Sequence, residues 1–176
     1  MIEYLEITLL VLGLPLLWVI ISYNLLVRDK NRVLTAWSDI DVQLKRRHDL
    51  IPKLIDAVKQ YADYETTTLN HVTELRVQSQ SMANIVKKSE LENELGSAIG
   101  HLIALAEDYP DLKANQSYLD LQKNLTEVEN HLQYSRRYYN GAVRNLNVRI
   151  ESFPDMVIAQ IFGYQKADYF QFETSR

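Results

Sequence analysis

The residues from Leu5 to Val27 read LEITLLVLGLPLLWVIISYNLLV, a run whose single charge is Glu6, near its start. As a helix rising ~1.5 Å per residue it spans roughly 34 Å, enough to cross a hydrocarbon core of ~30 Å. A secretory signal peptide has the same apolar content but also needs a basic leader and a small-residue cleavage site. Here MIEYLE carries Glu3 and Glu6 and no basic residue, and SYNLLVRDK offers no such site. Gly13 and Pro15 are compatible with a membrane span, and Tyr4, Trp18 and Tyr23 provide aromatics for the headgroup level. Residues 1–27 are therefore predicted to be an uncleaved transmembrane anchor.

The charges give that anchor a direction. Arg28, Lys30, Arg32, Lys45, Arg46 and Arg47 all follow the apolar run and nothing basic precedes it. The positive-inside rule then places the C-terminal side in the cytoplasm and the N-terminus outside. The chain has no cysteine, which fits a reducing compartment and rules out disulfides. Its net charge is −4, with the basic excess confined to residues 28–60 and the remainder acidic. An acidic domain argues against nucleic acid as a partner. The basic stretch sits where the lipid bilayer surface would be.

Beyond the anchor the periodicity is helical. Val33, Trp37, Ile40, Leu44, Ile51, Ile55, Val58 and Ala62 recur at steps of three and four, one face of a helix. His48 fills the one gap in that series, so its imidazole points towards the core. Asp41, Lys45, Asp49 and Lys53 form an alternating-sign ladder on the solvated side. Pro52 cannot donate to the carbonyl of residue 48 and its ring crowds that carbonyl, which predicts a helix kink and a free acceptor beside His48. The simplest reading makes His48 a hydrogen-bonded polar core residue; the alternative makes it the centre of a binding or metal site.

The pattern continues past Tyr61 through Leu69, Val72 and Leu75, which predicts one almost unbroken helix from Leu5 to about Met82. Ser79 to Lys88 read as a connection, and Ser89 with Glu92 as a capping box opening a second helix that ends at Tyr109, before Pro110. PDLKAN is a turn. From about Gln116 a stripe from Tyr118 to Ile150 makes a third helix ending at SFPD. Ser152 and Pro154 then suit a short last helix stopped by Gly163. Asn140 and Asn147, one heptad apart, read as polar register devices of the kind found in coiled coils. The fold class is all-α: a transmembrane helix, then an antiparallel bundle of long helices over residues 28–163, then a tail, 164–176, that packs on the bundle or docks elsewhere. A first helix longer than the second leaves Val33, Leu34 and Trp37 as a candidate self-association surface, predicting a homo-oligomer.

Catalytic templates are absent. No histidine has an acid three positions before it, as di-iron bundles require, and HExxH, GxSxG and a phosphate-binding loop do not occur. Glu127 and His131 share a helix face, yet two ligands alone do not hold a metal. The pattern assigns no catalytic residue, cofactor or metal.

The stretches YNLLVRDKNRVLTAWSDIDVQLKRRHDLIPKLIDAVKQYADYE, ALAEDYPDLKANQSYLDLQKNLTEVENHLQYSRRYYNGAVRNLN and FPDMVIAQIFGY resemble the successive blocks of the bacterial LemA family. The resemblance runs from Tyr23 to about Phe170 in the family's order and spacing; Lys53 stands where the family usually has asparagine. It implies a single N-terminal anchor in the cytoplasmic membrane with a cytoplasmic helical bundle. It supplies no catalytic residues, and the roles it implies concern the bacterial envelope and association with other membrane proteins. The expected function is a non-enzymatic, membrane-anchored scaffold. The competing expectation is a metal-dependent or hydrolytic enzyme with a site near His48.

Overall fold

The computed structural model describes residues 2–61 and 66–171, the side chains of residues 2, 3 and 5–11 excepted. The expected stripe position Ala62, the link through residue 65 and the last five residues of the tail lie outside the described residues. The fold is all-α. Six helices are described: α1 (Ile2–Lys59), α2 (Thr66–Ser81), α3 (Ile85–Ala106), α4 (Pro110–Lys113), α5 (Gln116–Glu151) and α6 (Asp155–Ile161). They form two compact units, Met1–Trp37 with Tyr139–Ala167, and Ser38–Tyr138 with Asp168–Arg176.

The second unit is an antiparallel bundle of the C-terminal part of α1, α2, α3 and the first part of α5. Along α1 the expected positions Ile40, Leu44, His48, Ile51 and Val58 are buried, joined by Arg47 and Leu54, while Ile55, also expected on that face, is half-buried. Ile51, Leu54 and Val58 pack with Leu69, Val72 and Leu75 of α2, Leu95, Ile99 and Leu102 of α3, and Tyr118 and Leu125 of α5. Directions follow from the cross-links. Arg76 on α2 bonds the carbonyl of His48 at 2.8 Å; in one continuous helix these residues would stand about 42 Å apart. So α2 doubles back along α1, and the predicted single rod to Met82 is corrected. A straight rod would strand the apolar stripe of Leu69, Val72 and Leu75 in solvent, whereas folding back buries it.

The α3 boundaries differ from expectation for a similar reason. Asn84, not Ser89, is the N-cap, its side chain accepting from the Lys87 amide at 3.0 Å. Ser89 and Glu92 lie inside the helix and are fully buried, so SELE is no capping box. The supposed connection from Ser79 to Lys88 shrinks to residues 82–84. Helix α3 ends at Ala106 rather than Tyr109, and Pro110 begins the short α4 at its first turn, where a missing N–H costs nothing. Asn115 then caps α5, accepting from the amides of Ser117 and Tyr118.

The first unit joins α1 up to Trp37, α5 from Tyr139, α6 and the segment to Ala167. Leu26 packs with Ile158 and Ala159 of α6, flanked by Trp18, Val19, Ile150 and Tyr164. Gly163 ends α6 at φ 68°, the left-handed conformation that favours glycine, while the Tyr164 amide reaches back to the Ala159 carbonyl at 2.9 Å. The buried Leu54 and exposed Val42 test the phase of the α1 stripe. Leu54→Ala should cost about 2–5 kcal/mol in urea unfolding of the detergent-solubilised chain, and Val42→Ala should stay within ~0.5 kcal/mol. Equal costs would show the stripe to be misphased.

Candidate functional site

At the centre of the second unit lies a carboxylate with no exposure at all, Glu92. α1 brings His48 and Arg47 to it, and α2 brings Ser79. His48 Nε2 donates to Glu92 Oε1 at 2.7 Å, the Ser79 hydroxyl donates to the same oxygen, and Arg47 Nη1 stands 3.4 Å from Oε2. Arg47 Nη1 also lies 3.6 Å from Glu129 of α5. Four helices therefore meet in one ionic network. Burial pushes the Glu92 carboxyl up, but the His48 hydrogen bond, the charge of Arg47 and the Ser79 hydroxyl together outweigh it and hold the carboxyl below its ordinary value.

Gly96, one helical turn beyond Glu92, makes room for this arrangement. A Cβ there would stand 2.7 Å from Arg47 Nη2, so the guanidinium rests on the bare backbone of α3. A cavity opens beside it, bounded by Arg47, Glu92, Asn93, Gly96, Glu129 and Arg136. Arg136 is buried on the apolar stripe of α5, and its Nη1 reaches Asn93 Oδ1 at 3.4 Å. Its Nε and Nη2 meet no acceptor among the described residues. Desolvation, reinforced by Arg47 and opposed by Glu129 and Glu92, pulls its pKa down to about 10, so it stays protonated at neutral pH. Phe170 of the tail lies over that guanidinium, 4.7 Å from its carbon to the ring centre. The tail is tied down by the Gln171 amide, which donates to Ser89 Oγ at 3.3 Å.

The residues singled out in the sequence fall in different places. His48 is buried in the network. α1 remains helical through Pro52, and the carbonyl that Pro52 deprives of its donor accepts from Arg76. Asn140 is half-buried on α5. Asn147 is buried and pairs with the backbone of Ala167 in both directions, each bond 2.9 Å. Val33 is buried, and Trp37 packs against Tyr139 of α5 at 5.6 Å between ring centres. α5 thus reaches the part of α1 that the helix lengths left uncovered, and of the proposed self-association residues only Leu34 is exposed. His131 and Glu127 form an exposed pair 3.8 Å apart. Among the described residues no three His, Cys, Asp or Glu side chains gather as a metal site requires.

Sequence reasoning missed Glu92, Arg47, Ser79 and Arg136. Each occupies an apolar-stripe position, the same signal that singled out His48, but in a motif or charge run that offered a simpler reading. It also missed a network in the first unit. There Arg149 Nε donates to Asp29 Oδ2 at 2.6 Å and Nη1 to Asp155 Oδ2 at 2.9 Å, and Ser22 Oγ donates to Asp155 Oδ1 at 2.5 Å. Hydrogen bonding to Asp29 comes first among the causes that raise the Arg149 pKa, so it stays charged.

Comparison with known proteins gives the family. The model of the LemA family matches residues 36–176. Protein LemA of Metamycoplasma hominis is 31% identical over 150 residues, 84% of this chain and 68% of that protein. The magnetosome proteins MamQ 2 of Paramagnetospirillum magneticum and MamQ of Magnetospirillum gryphiswaldense are 22% and 21% identical, over 86% of this chain and 65% of each of theirs. This chain thus spans a little under two thirds of the MamQ proteins' length. The chain belongs to the LemA family.

Glu92→Gln should destabilise the protein by about 3–5 kcal/mol at neutral pH, because Arg47 and His48 lose the charge they face. A carboxyl depressed by folding contributes its stability above its unfolded pKa of ~4.3 and loses it as pH falls through the lower folded value. The wild-type advantage over Glu92→Gln in urea unfolding should be full above about pH 5 and shrink steadily in more acid solution. An advantage that grows on acidification would contradict the ionised assignment. Gly96→Ala should destabilise the wild type yet be neutral or stabilising by up to ~1 kcal/mol in an Arg47→Ala background, where alanine's helix propensity acts unopposed. The same sign in both backgrounds would show that Arg47 does not rest on Gly96.

Proposed function

We infer that the protein is a non-enzymatic, single-pass helical scaffold of the bacterial cytoplasmic membrane, with its N-terminus outside and its bundle in the cytoplasm. The observation that carries this reading is the change in character along α1. Residues 12–17, with Leu12, Leu14, Leu16 and Leu17, are exposed right round the helix, and Ile20 and Ile21 are about half exposed, whereas Trp18 and Val19 are half-buried. The helix that carries them, α1, is long and apolar enough to cross a membrane. From Ser22 onward the same helix is buried on one side only, and its first basic residues follow at once. A helix apolar all round needs an apolar solvent; a one-sided helix needs a bundle.

The MamQ relatives are named as magnetosome proteins, which supports a role in a cellular structure. No observation favours the enzyme alternative near His48. That imidazole is 4% exposed and its Nε2 is engaged by Glu92, which is the geometry of a structural ion-pair network. Partners in this reading are the bilayer and other membrane proteins. Self-association enters only through Leu34, since Val33 and Trp37 are used inside the fold.

A reporter fused after Arg176 should behave as cytoplasmic, and adding lysines ahead of Tyr4 while neutralising Arg28, Lys30 and Arg32 should weaken or invert that orientation. Extracellular labelling of the wild-type bundle would refute the topology. Light scattering in mild detergent, with Leu34→Glu as comparison, checks self-association. A monomeric wild type, or an oligomer that Leu34→Glu leaves intact, would remove that part of the proposal.

A further inference from the structure

The first unit carries an apolar surface that its own packing does not use. Helix α6 buries Ile158 and Ala159 against α1, while Val157 and Ile161, one turn apart on its other face, are exposed. Phe153 precedes the helix and Phe162 follows it, and both are exposed as well. The fractions are 80% for Phe153, 40% for Val157, 69% for Ile161 and 53% for Phe162. Four large apolar side chains within ten residues, all turned away from the core, form a patch that water does not favour.

Its position on α1 identifies what covers it. Phe162 rests on Tyr23, ring centres 4.8 Å apart, and Asp155 accepts from Ser22. Trp18 and Val19 flank the Leu26 cluster with Ile150 of α5. These contacts fall on the last turns of the apolar stretch that ends at Val27. When that stretch spans a bilayer, the corner between α5 and α6 is held at the headgroup and upper acyl level, whatever the depth of the rest.

The polar groups at that level suit the same place. Asp29 and Asp155 are neutralised by Arg149, with Arg28 and Arg32 3.5 and 3.6 Å from Asp29. Those two acids are thus paired inward, and the exposed Glu151 is paired with Lys166. Arg28 and Arg32 are half-exposed, and Lys30 and Arg144 are exposed, which leaves cationic groups on the rim to meet anionic headgroups. Apolar residues below a basic rim are the arrangement of an interfacial membrane helix.

We propose that the α5–α6 corner is a second membrane contact: Phe153, Val157, Ile161 and Phe162 insert into the cytoplasmic leaflet of an anionic bilayer beside the transmembrane helix. The contact fixes α1 against rotation and tilt, because it attaches the chain to the leaflet on one defined side of the helix. It rests on the membrane-spanning reading of α1, and the test separates the two.

The chain has no cysteine, so single substitutions can each carry one nitroxide. Full-length protein bearing Phe153→Cys, Ile161→Cys, Leu14→Cys or Val42→Cys is reconstituted in nanodiscs of mixed zwitterionic and anionic lipid. Power-saturation spectroscopy then compares collision with oxygen, which partitions into lipid, and with a water-soluble nickel chelate. Labels at 153 and 161 should favour oxygen several-fold, with depths in the outer acyl region. The label at 14 should lie deeper, and the label at 42 should favour nickel. Nickel access at 153 and 161 with a deep label at 14 overturns the corner contact and keeps the anchor. Nickel access at 14 as well overturns the anchor reading itself. Low collision with both reagents at 153 and 161, with spectral broadening that disappears on dilution with unlabelled chain, would show that a second copy covers the patch and would likewise overturn the proposal.

Discussion

A carboxylate without solvent must be neutralised where it stands, and the bundle of the second unit is organised around that requirement at Glu92. Leaving an ion of this kind unpaired costs several kcal/mol, comparable with the whole stability of many domains. The demand is met by groups from different elements. His48 and Arg47 come from α1 and Ser79 from α2, while Arg47 extends the network to Glu129 of α5. Each donor is fixed in turn: Gly96 gives Arg47 a surface to lie on, and Arg76 occupies the carbonyl that Pro52 leaves free beside His48. Sequence positions that look unrelated are parts of one electrostatic solution.

The helical fold was legible because periodicity reports burial directly. The stripes of α1 and α5 are set by residues that must leave water, and most positions from Ile40 to Val58 and from Tyr118 to Leu146 are buried where those stripes place them, with Ile55 and Leu121 half-buried. The reversal after Lys59 was not legible, since no glycine or proline marks it. Continuous periodicity across residues 62–65 is equally consistent with one helix or with two that fold onto each other. What decides is tertiary burial of Leu69, Val72 and Leu75, which a local pattern cannot contain.

The candidate site was half legible, and the missing half has one cause. His48 was visible as a polar residue among apolar ones. Its partner Glu92 occupies the same kind of position, three before Leu95 and seven before Ile99 on the buried face of α3, but the preceding Ser89 offered a helix-capping explanation that used the carboxylate up locally. Arg47 was hidden in a basic run whose neighbours Lys45 and Arg46 are exposed. A charge that looks solvated and a charge that is buried differ only in phase, by about 100° per residue. Phase is therefore the better guide where it conflicts with a short motif.

An apolar core alone would leave such a bundle poorly specified, because stripes of Leu, Ile and Val repeat every turn and a helix displaced by one turn still buries much the same area. The ionic network removes that degeneracy. Sliding α1 by four residues would set Leu44 or Pro52 opposite Glu92 in place of His48, and would move Arg47 off Gly96. Neither replacement donates a hydrogen bond, so the carboxylate would lose its strongest partner inside a medium that cannot supply water. Registry is thus set by the cost of the wrong alignment more than by the gain in the right one, the use of buried polar groups that is best attested in helical assemblies. In the first unit Asn147 acts in the same way by a neutral route: its amide matches the donor and acceptor of Ala167 at one alignment only. That pairing fixes the segment after α6 against α5, and with it which side of the Tyr164 neighbourhood faces inward and which faces are left to the surroundings.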